Sequence, residues 1–216
     1  MGWITHLFLP RRPVHSCPEC GAHISHKARF CEHCGAWLAK TAWLPCGSFN
    51  WGLVLENLAD LLTLPTAGYP TKIQTCLANL PGTGNEARLM ASFAARVHDL
   101  STEQLQERYR RTFTLIPACS LEVGQQLYLS EREKHLEFVA WMRQEPASRK
   151  IKILPGYAPD NLILCLRAMV RMNAAGGEDF TFCVLPAVSK IVKAMQGTNN
   201  PFEALLLTVE WVLTPR

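Results

Sequence analysis

Two Cys-x-x-Cys pairs, each followed by glycine and separated by ten residues, stand near the start of the chain in the segment CPECGAHISHKARFCEHCG. Two thiolates two residues apart face one metal only if the backbone turns tightly beneath them. Gly21 and Gly35 supply the residue type that accepts the positive φ of such a turn. Two such knuckles complete a tetrahedral four-thiolate site, with Zn–S bonds of about 2.3 Å. Cys17, Cys20, Cys31 and Cys34 are therefore the expected ligands of one zinc ion. A closed four-cysteine site has no open coordination position, so the expected role is structural. A segment this short cannot bury a core of its own, which makes its folding dependent on the metal.

Iron in the same ligand set is the main chemical alternative, but rubredoxin knuckles lie much further apart. No βαβ pattern surrounds either pair, which argues against a redox dithiol. His15, His23, His26 and His33 lie close enough to substitute as ligands; the simpler reading places them on the ribbon surface.

The rest of the 216-residue chain is long enough for one ordinary domain, giving a division into a ribbon with a flanking arm (1–45) and a second domain (46–216). Apolar residues make up 48% and charged residues 19%, a composition that builds a core and excludes disorder. The net charge of +4 is spread along the chain, giving little support to a nucleic-acid or membrane-surface role. The most apolar stretch, ALLLTVEWVL, contains Glu210 and is far shorter than the roughly 20 residues a bilayer requires. The opening MGWITHLFLPRRP lacks the long apolar core and small-residue cleavage site of a secretory leader. Arg11 and Arg12 are followed directly by Pro13 and the first knuckle, which argues against a twin-arginine signal. The expected location is the cytoplasm. There the remaining cysteines, Cys46, Cys76, Cys119, Cys165 and Cys183, are expected to behave as small buried hydrophobes.

From about Asn50 the periodicity becomes helical. Leu89, Phe93 and Val97 form an apolar stripe with Met90 and Ala94 beside it. Ser101 and Gln104 form a capping box, with Leu100 and Leu105 at its staple positions. Leu105, Tyr109 and Phe113 continue that helix's stripe. Ser130 and Glu133 suggest a second box before LEFVAWM. Asp160, after Pro159, is expected to cap a helix carrying Leu162, Cys165, Leu166, Met169 and Met172, ended by Gly176 and Gly177. Leu185, Val188, Val192 and Met195 mark the next helix, stopped near Gly197. In the last, Asn200 caps, Pro201 occupies the first turn, and Leu205, Leu206, Val209 and Leu213 face inward. Nothing alternates at period two, so the fold class is all-α: a helical bundle preceded by a small zinc ribbon. Stripes of this kind are core far more often than binding sites.

No catalytic constellation stands out. There is no Gly-rich phosphate loop, nucleophile elbow or His-Glu-x-x-His helix, and the chain is not expected to be an enzyme. In the helical part the histidines are His98 and His135, both expected on helix surfaces.

The order of four segments resembles the TorD/DmsD/NarJ family of cytoplasmic chaperones for molybdenum-cofactor oxidoreductases. LADLLTLPTAGYPTKIQTCLANLP is similar to the family's opening helix, tyrosine-proline junction and following helix. YRRTFTLIPACSLEVGQQLY is similar to its tyrosine-x-x-phenylalanine helix end, proline-centred loop and next helix, closest to the NarJ-like branch. APDNLILCL resembles the proline-aspartate-histidine-leucine signature, with Asn161 in place of the histidine. LPAVSKIV and NPFEALLLTV resemble the closing helices. The resemblance covers roughly residues 50–216; LYLSEREKHLEF is shorter than its family counterpart, and the ribbon is not a general family feature.

The resemblance implies a TorD-like helical bundle and a chaperone. Such a protein binds the leader, or the apo form, of an oxidoreductase catalytic subunit, here of the nitrate reductase type, and holds it for cofactor insertion. A leader carrying arginines and an apolar stretch needs a groove with apolar walls and a few acids. By motif position the partner-binding residues are Tyr109, Phe113, Pro117, Leu121, Glu122, Pro159, Asp160 and Asn161. Tyr109 and Phe113 have core packing as an equal alternative. A second function class is a nucleic-acid-binding regulator acting through the ribbon, where Lys27, Arg29 and Phe30 form a minimal basic-aromatic surface. The ribbon is alternatively a docking module for a second partner, such as another subunit of the client enzyme. On the zinc reading, purified protein carries about one zinc per chain, and Cys17→Ser or Cys34→Ser lowers that content in elemental analysis.

Overall fold

Asn50 opens the helical region: its side-chain oxygen accepts the Leu53 amide at 3.0 Å and caps α1, Trp51–Leu61. The computed structural model describes residues 15–16, 20–24, 33, 50–148, 156–171 and 174–214. After α1 follow α2 (Tyr69–Ala78), α3 (Asn85–Val97) and α4 (Thr102–Phe113). A 3-10 turn (Pro117–Cys119) and the short α5 (Val123–Leu127) precede α6 (Arg132–Ser148). The chain closes with α7 (Leu162–Arg171), α8 (Ala174–Met195) and α9 (Phe202–Leu213). Among the described residues, strands are limited to β1 (His15–Ser16) and β2 (His23–Ile24), which pair antiparallel with His15 opposite Ile24. The described chain is thus mostly helical, as the absence of period-two alternation predicts. The boundary expected at residues 45–46 lies outside the described residues.

Most of these helices run only 10 to 13 residues, a length that is marginal in isolation. Packing must hold them. α1 lies against α7 and α2, α3 against α9, and α8 against α9, α7 and α5. The fully buried Phe202 of α9 is the hub. Its ring centroid lies 5.8 Å from Phe93 on α3, and 5.8 and 5.2 Å from Tyr109 and Phe113 on α4. These edge-to-face and tilted contacts add to an already large area term.

Two buried tyrosines finish α1. Tyr69 Oη donates to the Leu61 carbonyl and Tyr109 Oη to the Leu62 carbonyl at 2.7 Å, satisfying acceptors that a helix end leaves open. Burial pushes both phenols up, so both hydroxyls stay protonated donors. Arg167 of α7 reaches back to α1, with its guanidinium 2.5 Å from Asp60 and 3.6 Å from Glu56. Trp211 Nε1 donates to the buried Glu86 carboxylate at the start of α3, tying α3 to α9 a second time.

The Ser101–Gln104 box forms in both directions, and Leu105, Tyr109 and Phe113 are buried as expected. Asn200 accepts the Phe202 amide at 3.0 Å, and Gly197 has φ 75° where α8 stops. Three boundaries differ from expectation. Ser130 is not the cap of α6: a turn from Tyr128 to Glu131 delays the helix, and Glu131 supplies the first carbonyl, to the His135 amide. Gly176 and Gly177 do not end a helix but lie in the first turn of α8, where amides need no intrahelical partner and glycine is tolerated. Asp160 does not cap α7; Asn161 does, accepting the Ile163 amide at 3.0 Å. Met172 lies outside the described residues.

Cys76, Cys119 and Cys165 are buried, as expected of isolated apolar cysteines. Burial pushes the Cys76 thiol up to about 12, so it stays protonated and unreactive. Phe202→Ala should cost about 3–5 kcal/mol in denaturant unfolding. Tyr109→Phe, which removes only the hydroxyl, should cost about 1 kcal/mol.

Candidate functional site

Of the eight residues singled out from the motifs, two lie on α4 in the aromatic core; Leu121 is also a core residue but lies on a loop. Tyr109 and Phe113 pack ring on ring at 4.9 Å inside the Phe202 cluster. The others fall on two loops far apart in sequence, and the fold joins them. Leu162 N–H donates to the Leu121 carbonyl at 2.7 Å and Val123 N–H to the Asp160 carbonyl at 3.0 Å. Glu122 and Asn161 thereby face each other across an isolated antiparallel bridge. The side chains of Leu121, Asp160 and Asn161 are buried, while Glu122 and Pro159 are half-buried and Pro117 is exposed.

The first loop is held against its own helix. Gln126 Nε2 on α5 donates to the carbonyls of Pro117 at 3.1 Å and Ser120 at 2.9 Å. Ser120 Oγ accepts the Glu122 amide at 3.2 Å. The loop's apolar side chains point outward: Leu115 is 70% and Ile116 46% exposed. These two adjacent side chains offer apolar surface, as do Leu129 (79% exposed) and Leu136 (61%) further along the chain.

The second loop brings charge. The Asp160 carboxylate is buried and accepts the Gly124 amide at 2.8 Å, with His135 Nε2 of α6 3.8 Å from the same oxygen. Glu122 stands at the start of α5 without making a side-chain cap bond. Its pKa is raised, first by burial and then by the neighbouring Asp160 charge, with His135 pulling the other way. The result is a pair of neighbouring acids, one sequestered and one still reaching solvent.

His135 and Gly124 are the members that sequence reasoning missed. His135, expected on a helix surface, is one-third exposed and faces Asp160. A lone histidine on a helix and a lone glycine after Glu-Val carry no periodic signal; only the meeting of α5, α6 and the Asp160 loop reveals them. His98 is a surface histidine as expected, bonded to its neighbour Asp99 at 2.8 Å.

A separate shallow groove of about 660 Å³ lies between α4 and the turn before α9. It is lined by Glu103, Glu107, Arg108 and Arg111, of which Glu107 and Arg111 pair at 2.6 Å. None of the motif-derived site residues lines it.

Near the start of the chain, Cys20 is exposed and Gly21 has φ 71°, the left-handed conformation that a metal knuckle asks of the glycine after its second cysteine. The β1–β2 pairing brackets that turn. This geometry fits the first half of a four-thiolate site. Cys17, Cys31 and Cys34, with Gly35, Lys27, Arg29 and Phe30, lie outside the described residues. Among the described residues no group of three or more His, Cys, Asp or Glu side chains is arranged to hold a metal.

Compared with known proteins, the chain matches no family model and no curated protein.

The raised Glu122 pKa sets a sign for stability. Because the folded-state value lies above the unfolded one, ionisation of Glu122 opposes folding, and the penalty grows as pH rises through the folded value. Glu122→Gln should therefore raise Tm at pH 7–8 and leave it unchanged below about pH 3, where both states are protonated.

Proposed function

We propose that this chain is a non-enzymatic holding chaperone of the TorD/DmsD/NarJ type. It would bind the leader or apo form of a molybdenum-cofactor oxidoreductase catalytic subunit, of the nitrate reductase kind, until the cofactor is inserted. The observation that carries this reading is the bridge between Leu121–Val123 and Asp160–Leu162. It brings into one place two of the four segments that carry the resemblance. The first of these segments also carries the exposed Leu115 and Ile116 and the half-buried Glu122.

The chemistry suits the ligand class. Leu115, Ile116 and Pro117 offer aliphatic surface to an apolar stretch, and Glu122 offers a carboxylate to an arginine. A guanidinium arriving at Glu122 would relieve the repulsion that Asp160 imposes, so binding and the acid's ionisation reinforce each other. A leader that orders only on binding loses conformational entropy, which keeps affinity moderate and release easy. Holding followed by release requires such an affinity.

The ribbon is proposed to hold one structural zinc through Cys17, Cys20, Cys31 and Cys34, with the left-handed Gly21 turn as support. It would serve as a docking module for a second partner. No helix among the described residues is long and apolar enough to cross a membrane, which accords with the proposed action on a cytoplasmic client.

Immobilised client leader peptide should retain the wild-type chain and lose most of a Glu122→Lys variant that folds normally. Failure of the wild-type chain to bind, together with normal cofactor content of the client in a strain lacking this protein, would reject the chaperone reading.

A further inference from the structure

Gly124 has no room for a side chain. A Cβ there would stand 2.6 Å from His135 Cδ2, 3.0 Å from His135 Nε2 and 2.8 Å from Asp160 Oδ2. Imidazole and carboxylate therefore close over the same backbone atom from opposite elements. The Asp160 side chain is only 2% exposed, and among the described residues its carboxylate accepts the Gly124 amide. A buried carboxylate needs more than one neutral donor to stay in place. His135 Nε2, at 3.8 Å and on a ring that is one-third exposed, is placed to add a second attraction without shutting the site off from water.

The helix that delivers this ring is itself fixed. Phe138 and Trp141 of α6 stack between Tyr128 and Phe180, with successive centroid distances of 5.7, 5.7 and 5.2 Å. Glu122 is a charged neighbour of both groups. Glu131 and Lys134 pair with each other on α6, and Lys190 of α8 donates to the Gln126 carbonyl at 2.8 Å. Cys165 of α7 meets the Asp160 backbone carbonyl, not its carboxylate, at 3.7 Å.

We propose that His135 is a positioning residue. It clamps the Asp160 carboxylate onto the Gly124 amide, which fixes the Glu122–Asn161 bridge and leaves Glu122 as the acid that meets a ligand's cation. The inference rests on the peptide-binding reading and deepens it. Of the two acids the motifs single out, Glu122 is assigned the contact and Asp160 the support.

The test uses the whole chain labelled for NMR. In His135→Gln, amide exchange at Gly124 should accelerate about tenfold, a loss of about 1.4 kcal/mol of local protection. The side-chain carboxyl carbon of Glu122 should titrate at higher pH than in wild type, because the opposing positive charge is gone. Asp160→Asn should move that titration to lower pH, because the repelling charge is gone. A residue that merely fills space would leave the Glu122 titration where it was. Unchanged Gly124 exchange and unchanged Glu122 titration in His135→Gln overturn the proposal. In wild type, cross-relaxation between the His135 Hδ2 and Gly124 Hα protons is expected, and its absence overturns the proposal independently of any variant. With client leader peptide as probe, His135→Gln should bind about tenfold more weakly. If the protein-only readouts shift while wild type binds no leader, the clamp stands and the peptide-binding reading fails.

Discussion

Two backbone hydrogen bonds, Leu162 N–H to Leu121 and Val123 N–H to Asp160, hold together chain segments some forty residues apart. Closing a loop of that length costs about 3 kcal/mol in chain entropy, while two hydrogen bonds contribute about 2 kcal/mol net. The bonds alone do not close it. Val123, Leu162 and Ile163 are fully buried beside them and Leu121 nearly so, each worth about 1.5–3 kcal/mol of transfer free energy. Hydrophobic burial against the central helices makes the junction; the hydrogen bonds set its register. Because register is fixed, Glu122, Asn161, Asp160 and Gly124 occupy defined places instead of the tips of two independent loops.

The same junction explains why an acid sits where it lowers stability. A protein selected only for stability would place a neutral residue at Glu122, since burial and Asp160 both disfavour its ionised form. Sites that trade stability for ligand chemistry commonly show such unfavourable charge. The proposed client segment, basic and apolar, would supply the complement to Glu122 and to the exposed Leu115 and Ile116. Asp160 differs: it has a backbone donor and a facing imidazole, and little of it is left for a ligand to touch.

Local signals in the sequence carried much of the fold. Ser101 with Gln104, Asn200 before Pro201, and the stripe Leu105–Tyr109–Phe113 each involve residues within two turns of one another, and each forms as expected. Local rules also point to caps at Ser130 and Asp160, but a turn upstream decides the first and a distant amide the second; the Gly176–Gly177 pair reads as a stop yet lies in the first turn of α8. Asp160 is drawn from the α7 start by the Gly124 amide, leaving Asn161 to cap. His135 and Gly124 matter only because three elements converge on them, which no window of sequence displays. Four of the motif-derived residues, Leu121, Glu122, Asp160 and Asn161, do come together, whereas Tyr109 and Phe113 serve the aromatic core around Phe202.

On the chaperone proposal, the joined loops form the surface that captures a client segment. Hydrogen-exchange mass spectrometry of the whole chain, with and without the apo catalytic subunit, tests it most directly. The account predicts new protection confined to residues 114–124 and 157–162. Protection at the charged groove of α4 with those loops unchanged would contradict it.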